Sequence, residues 1–343
     1  MSFLFPSTTI TIEAALRDVA SGSPKARVTA AQALGDVTDP TEKRRALDAL
    51  IRALDDDQPA VRMEACASLG ALREPAALPA LIRRLDDGVA VVRQNAAIAL
   101  GSIGHLDGFA PLETALKEGP ADLRFQAATS LAEIDPARAY APVAAALDDR
   151  DPQVVAAAAL ALGAIGDERA RGLLAAKLDH ADAGARFDVA YALAELGDAR
   201  GRGTLTAALA DPERAWDAVT ALARLGTAED AASLGGALTS KRTPAEATVL
   251  AAGKLLGLAT GASHHDAARR VLLAALGARK THVRGLAVEQ LGEVGGPWAT
   301  APLEKLARSG KGRELVEVIA AALRAIAARS HEPGHAPDQE TDR

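Results

Sequence analysis

One cassette returns along this chain at a spacing of about 31 residues, and that periodicity restricts the architecture more than any single residue does. Its first copy reads Arg27-Val-Thr-Ala30-Ala31-Gln-Ala-Leu34-Gly35. It recurs at Arg62…Leu69-Gly70, Arg93…Leu100-Gly101, Arg124…Leu131-Ala132, Val155…Leu162-Gly163 and Arg186…Leu193-Ala194. Looser copies follow at Ala215…Leu222-Ala223, near Glu246…Lys254, at Arg284…Leu291-Gly292 and at Val316…Leu323-Arg324. A unit this short cannot bury its apolar face alone, so neighbouring copies must stack on one another. The expectation is a single solenoid of about ten helical hairpins over residues 8–328, growing along one axis without a second core.

Hydrophobic residues make up 49% of the chain and aromatics only 3%, a balance that suits thin, closely packed helices. Strand formers are sparse, so the fold class is all-α. Cys66 stands where other copies carry Ala31, Ala97 and Ala128 and reads as a small core residue. With one cysteine no internal disulfide can form, which suits a reducing compartment. The opening residues lack a basic stretch and their apolar run breaks at Pro6; no segment approaches transmembrane length without charges. A cytoplasmic protein with no membrane span is expected.

Net charge is −6, unevenly placed. Residues 1–239 hold 24 basic and 34 acidic side chains, residues 240–329 hold 14 and 7, and residues 330–343 hold 1 and 4. An acidic body argues against general nucleic-acid binding, while the basic last third leaves room for an acidic partner. The polar segment 330–343 has almost nothing to bury and is expected to be a disordered acidic tail.

Residues 74–104 show how one repeat is built. Leu78, Leu81, Ile82 and Leu85 fall at helical spacing, Asp86-Asp87-Gly88 makes a turn, and a second helix runs from Val91 to about Ile103 before Gly104 stops it. The Asp-x-x-x-Pro/Val-x-Val-Arg turn and the Val-Arg-x-x-Ala-Ala-x-Ala-Leu-Gly-x-Ile-Gly helix, seen at Asp56…Arg62, Asp87…Arg93 and Asp149…Val154, resemble the HEAT repeat family. More closely they resemble its bacterial phycobilin-lyase-type subgroup. The resemblance implies a right-handed α-α superhelix. It also implies a ladder in which an aspartate six residues before the arginine pairs across stacked turns: Asp56 with Arg62, Asp87 with Arg93, Glu118 with Arg124. The pattern then weakens, because Asp149 precedes Val155, His180 precedes Arg186 and Ala278 precedes Arg284. Pro79, Pro111, Pro142 and Pro302 are expected to kink their first helices. Gly257…His265 is expected to form a Gly-rich loop and a bend, with His264 and His265 solvated in it.

Enzymatic signals are poor. His331-Glu332-Pro333-Gly334-His335 has the letters of a zinc-protease site, but Pro333 and Gly334 oppose the helix such a site needs, so no metal or other cofactor is expected. Deoxyhypusine hydroxylases, also built from HEAT-like repeats, need four His-Glu pairs, and this chain has that one. No phosphate loop, nucleophile elbow or Cys-x-x-Cys is present.

Counting from the arginine slot, positions +1, +2, +5 and +9 of the second helices oppose the apolar stripe and are expected to line the concave side of a superhelix. Of nine aromatic residues four occupy these slots: Phe125, Phe187, Tyr191 and Trp216. Leu160 lies among them, with Asp188, Glu195 and Asp217 on the rim and Glu133 nearby. The expected function is therefore a non-catalytic protein-interaction scaffold that takes a partner segment bearing basic and apolar anchors in an acidic, aromatic groove. The alternative that the resemblance implies is a lyase or chaperone for a linear tetrapyrrole.

Overall fold

The computed structural model describes residues 10–258 and 261–330, which form only helices and connecting turns. The opening nine residues, the tail and its His331–His335 motif lie outside the described residues. The chain divides into two compact units, Met1–Ala192 and Leu193–Arg343. The first holds α1 (Ile12–Ser21), α2 (Pro24–Gly35), α3 (Pro40–Ala53), α4 (Pro59–Leu72), α5 (Leu78–Arg84) and α6 (Ala90–Ile103). It continues with α7 (Phe109–Glu118), α8 (Ala121–Ile134), α9 (Pro136–Ala145), α10 (Pro152–Ile165), α11 (Ala170–Ala175) and α12 (Ala183–Glu195), the helix in which it ends. The second holds α13 (Arg202–Ala208), α14 (Ala215–Leu225), α15 (Ala228–Thr239) and α16 (Ala245–Gly257). After these come α17 (Ala262–Ala275), α18 (Thr281–Val294), α19 (Thr300–Ala307) and α20 (Val316–Ser330). Odd-numbered helices are the first and even-numbered the second of ten hairpins among the described residues, an all-α repeat solenoid.

The cassette explains the stacking. Its leucine is buried without residue at Leu34, Leu69, Leu100, Leu131, Leu162, Leu193, Leu222 and Leu291. Its glycine lets adjacent second helices touch: a Cβ on Gly70 would stand 3.0 Å from Ala99 Cα, one on Gly163 3.1 Å from Ala192 Cα, and one on Gly292 3.1 Å from Ala322 Cα. Gly35 meets Ser68 and Gly101 meets Ser130 in the same way. The residue at +8 of one helix thus lies on the residue at +6 of the next, so the second helices stack with a constant two-residue offset. Second helices pack consecutively, α2 through α10 in the first unit and α14 through α20 in the second. In α20 the +8 slot holds exposed Arg324 instead of a glycine or alanine.

Three of the four prolines do not kink a helix. Pro79, Pro111 and Pro302 sit in the first turn of α5, α7 and α19, each just after a short 3₁₀ turn (Pro75–Ala77, Leu106–Gly108, Pro297–Ala299). There the missing N–H has no intrahelical acceptor to lose, so the proline starts the α-helix instead of bending it. Pro142 alone lies inside its helix, α9.

Residues 262–265 are helical, not a loop. α16 ends at Gly257, α17 starts at Ala262 and packs against α16, and residues 259–260 lie outside the described set. His264 and His265 are half-buried in the first turn of α17, and His265 Nε2 lies 3.1 Å from Leu258 O. The helix forms because Ala262 and Ala267-Ala268 flank the histidines with strong helix formers and Ala268 and Leu272 are buried.

Candidate binding face

The arginine ladder fixes how second helices are presented, and it differs from the expected pairing. The arginines of the first four repeats reach forward to the next repeat. Arg27 meets Asp56 at 2.7 Å, Arg62 meets Asp87 at 2.9 Å, Arg93 meets Asp122 at 2.9 Å and Arg124 meets Asp149 at 2.7 Å. Within its own repeat the arginine donates to a backbone carbonyl instead: Arg62 to Asp56 O (2.9 Å), Arg93 to Asp87 O (2.8 Å) and Arg124 to Gly119 O (2.9 Å). The reason is that the aspartate side chain is already turned to its own chain just before the helix, in an Asx turn where Asp56 accepts from Gln58 N, Asp87 from Val89 N and Asp149 from Asp151 N. Its outer oxygens then face the preceding repeat. Glu118 takes no part and is exposed at the end of α7.

A backbone acceptor also means that the side chain six residues upstream is immaterial to the inner contact. Arg186 donates to His180 O, and Arg284 to Ala278 O at 2.9 Å, despite the lost aspartates. Asp149, far from idle before Val155, serves Arg124. The Arg62 bonds hold the Asp87 carboxyl below its usual range, and Arg124 does the same for Asp149. At Asp56 burial pulls upward but is outweighed by the hydrogen bonds from Arg27 and Gln58.

On the opposite side of the first unit's second helices, the +1, +2, +5 and +9 slots from Val28 to Tyr191 contain no lysine or arginine. Ile98, Phe125 and Leu160 are exposed there, on α6, α8 and α10, which pack in sequence. With the two-residue offset, Ile98 lies level with the stretch between Phe125 and Thr129 on the neighbouring helix, and Leu160 level with that between Thr129 and Glu133. Neighbouring axes are about 9 Å apart. Glu133 Oε2 projects over α6, 2.6 Å from where a Cβ on Gly101 would be. Burial pushes the Glu133 carboxyl up, with Arg73 opposing, and burial followed by the Asp36 charge pushes Glu64 up. Neither glutamate has an ion-pair partner among the described residues. Glu64 is half-buried and Glu133 exposed, and only at Glu133 does a nearby cation, Arg73, offset part of the burial effect.

Other expected groove residues behave differently. Phe187 is buried at 5% exposure; Tyr191 and Asp188 are half-buried, and the Phe187 and Tyr191 rings lie 6.5 Å apart, tilted by 39°. Phe187 is therefore a packing residue and not an open anchor. Ala156 and Ala157 are covered as well, because α10 is apolar on nearly every side. In the second unit Trp216 is 44% exposed and Asp217 is exposed beside it on α14. Glu195 is no free rim group, since Arg224 meets it at 3.0 Å. The sequence pattern underrated Ile98 and Glu64, whose slots were identified but whose exposure and desolvation depend on the neighbouring helix.

Residues 12–101 and 109–186 match HEAT repeats, and residues 92–118 match the PBS lyase HEAT-like repeat. Together these spans run unbroken from 12 to 186, just over half of the 343 residues. The chain belongs to the HEAT-repeat family. No curated protein matches it in sequence. Among solved structures, importin beta is similar at 13% identity and a TM-score of 0.52, over 92% of this chain and 52% of that one. The complex of CpcE and CpcF of phycocyanin lyase from a Nostoc species is 24% identical over 79% of this chain and 97% of that one, with a TM-score of 0.40. Human deoxyhypusine hydroxylase in complex with glycerol is 20% identical over 76% and 94%, with a TM-score of 0.35. The importin likeness supports the fold; the other two carry nothing further. Among the described residues of this HEAT-repeat chain, no three His, Cys, Asp or Glu side chains gather to hold a metal, and no helix is long and apolar enough to cross a membrane.

Proposed function

We propose that this HEAT-repeat chain is a non-catalytic scaffold whose exposed second-helix face in the first unit binds a segment of another protein carrying basic and apolar side chains. The observation that supports the reading is the conjunction on one face of exposed Ile98, Phe125 and Leu160 with half-buried Glu64 and exposed Glu133, carboxylates pushed up by burial and without an ion pair among the described residues. Apolar anchors would cover the first group, and a lysine or arginine would give the second an ion-pair partner. Acidic competitors would be repelled. Trp216 with Asp217 offers an anchor of the same kind on the second unit.

The test is fluorescence anisotropy with a labelled amphipathic peptide whose leucines are flanked by lysines, and with a counterpart in which every lysine is glutamate. The lysine peptide should bind and the glutamate peptide should not. Phe125→Ala with Leu160→Ala should weaken binding by about 2 kcal/mol, roughly 30-fold. Equal binding of both peptides, or an unaffected variant, sinks the assignment.

A second reading, handling of a linear tetrapyrrole, is favoured by the PBS lyase HEAT-like match at 92–118. Incubation with bilin and recovery of visible absorbance with the protein would support it; a colourless protein would exclude it.

A further inference from the structure

Within each unit, the turns that join first to second helices share one edge of the stack. In the first unit that edge carries carboxylates beyond those used by the ladder: Asp55, Asp57, Asp86, Glu118, Asp148 and Asp179 are all exposed. Asp55, Asp57 and Asp148 touch Arg84, Arg27 and Lys177, whereas Asp86, Glu118 and Asp179 have no ion pair among the described residues. Exposed Arg83 and Arg150 interrupt the edge without reversing its sign.

Beyond its first turn, where Asp211, exposed Glu213 and Arg214 precede α14, the same edge of the second unit is basic, with exposed Glu314 beside Arg313 the one acidic interruption. Lys241 and Arg242 occupy the turn before α16, Arg279 and Lys280 the turn before α18, and Lys311 and Arg313 the turn before α20; all six are exposed. These turns adjoin: Lys280 and His282 reach Glu246 at 3.7 and 2.6 Å, and Lys311 Nζ donates to Gly277 O at 3.1 Å. Lys241, Arg242, Arg279 and Arg313 have no carboxylate within ion-pair distance among the described residues. The ladder aspartates are missing here, so stacking brings cations together without their usual counter-charge.

We propose that the basic turn edge of the second unit binds the acidic turn edge of the first unit of another copy of this chain. Both edges are built from the same stacked repeat, so their charges recur at one layer spacing, on the order of 10 Å, and can meet in register. The turns 240–244, 277–281 and 308–315 contain no aromatic residue on which a nucleobase could stack. The net charge of −6 also opposes a long polyanion, while screening at about 0.1 M salt confines interactions to about 10 Å and lets facing edges decide. Exposed pairs contribute little individually, so the association is weak and depends on several acting together.

The experiment is sedimentation equilibrium of the full chain. At about 0.1 M salt the mass should rise with concentration above the 35.2 kDa of one chain, and at about 1 M salt, where screening reaches about 3 Å, it should return to that value. The variant Lys241→Glu/Arg242→Glu/Arg279→Glu/Arg313→Glu should stay monomeric, as should Asp86→Lys/Glu118→Lys/Asp179→Lys, with circular dichroism confirming that both fold. Mixed, these two variants present an acidic and a basic copy and should associate with each other at least 10-fold more tightly than either with itself. A wild-type chain that remains monomeric at 0.1 M salt, self-association retained in both variants, or a mixture that does not associate would overturn the proposal. Binding of the wild-type monomer to an unrelated acidic chain would then assign the basic edge to a different partner.

Discussion

Replacing Asp87 with alanine probes the ladder where it is best shielded. Arg62 donates to Asp87 from Nε and Nη2, both at 2.9 Å, and the aspartate side chain is only 4% exposed. Asp87 also accepts from Val89 N at 3.0 Å at the start of α6. Hydrogen bonds to charged groups contribute about 1.5–3 kcal/mol each and the turn bond to Val89 N about 1 kcal/mol, a gross loss of roughly 4–7 kcal/mol. Arg62 keeps its bond to Asp56 O and can recruit water once the carboxylate is gone, so about half of that, some 3 kcal/mol, should be realised. Both tryptophans belong to the second unit, so intrinsic Trp fluorescence does not report the change. Hydrogen exchange read by mass spectrometry does: amides of α4 and α6 should lose about two decades of protection, since 1.4 kcal/mol is tenfold. Asp87→Asn, which keeps the acceptor for Val89 N, should lose less, and a double-mutant cycle with Arg62→Met should show coupling above about 1 kcal/mol. Unchanged protection in Asp87→Ala, or no coupling, would refute the view that the forward pairs hold the layers together.

The ladder also sets an acid limit. The folded carboxyls of Asp56, Asp87 and Asp149 lie below their unfolded values, so their stabilisation is full above about pH 4 and is lost as pH falls through the folded values; acid titration of helicity should show the first unit failing in that range. Glu64 and Glu133 shift the other way, so binding of the lysine peptide should weaken on acidification at a higher pH than unfolding begins, and coincident midpoints would contradict this. Gly70→Val should force α4 away from Ala99 and destabilise by about 1–3 kcal/mol in urea, with Gly70→Ala much milder because Ala132, Ala194 and Ala223 already fill that slot elsewhere. Cys66 is fully buried and burial pushes its thiol up to about 12, so a thiol reagent should label it only in denaturant; rapid native labelling would place it outside the core.

Periodicity in the sequence was enough to find the hairpins, because leucine and glycine recur where burial and close approach demand them. The ladder's direction was not legible. An aspartate six residues before an arginine is near it in the chain, yet the choice between Asp56 and Asp87 for Arg62 depends on the Asx-turn bond to Gln58 N that holds the Asp56 carboxylate in place. The prolines misled for a related reason: a 3₁₀ turn before Pro79, Pro111 and Pro302 moves each to a helix start, and nothing in the apolar spacing announces that turn. At the candidate face, helical phase separated Phe125 and Leu160 from the core correctly. The same phase put Phe187 outside, but it is buried, because slot +1 is open only if neighbouring layers leave it so. The Arg224 contact to Glu195 likewise joins the +9 slots of two neighbouring repeats, which helical phase within one repeat does not show.

Site-directed photo-crosslinking in native lysate tests the binding face most directly, with Phe125→benzoylphenylalanine on the proposed face and Leu173→benzoylphenylalanine as a somewhat more exposed position on a first helix. The account predicts crosslinks at position 125, absent or far weaker at 173, to segments in which lysine or arginine flanks apolar residues. Equal crosslinking at both positions, or acidic segments captured at 125, would contradict it.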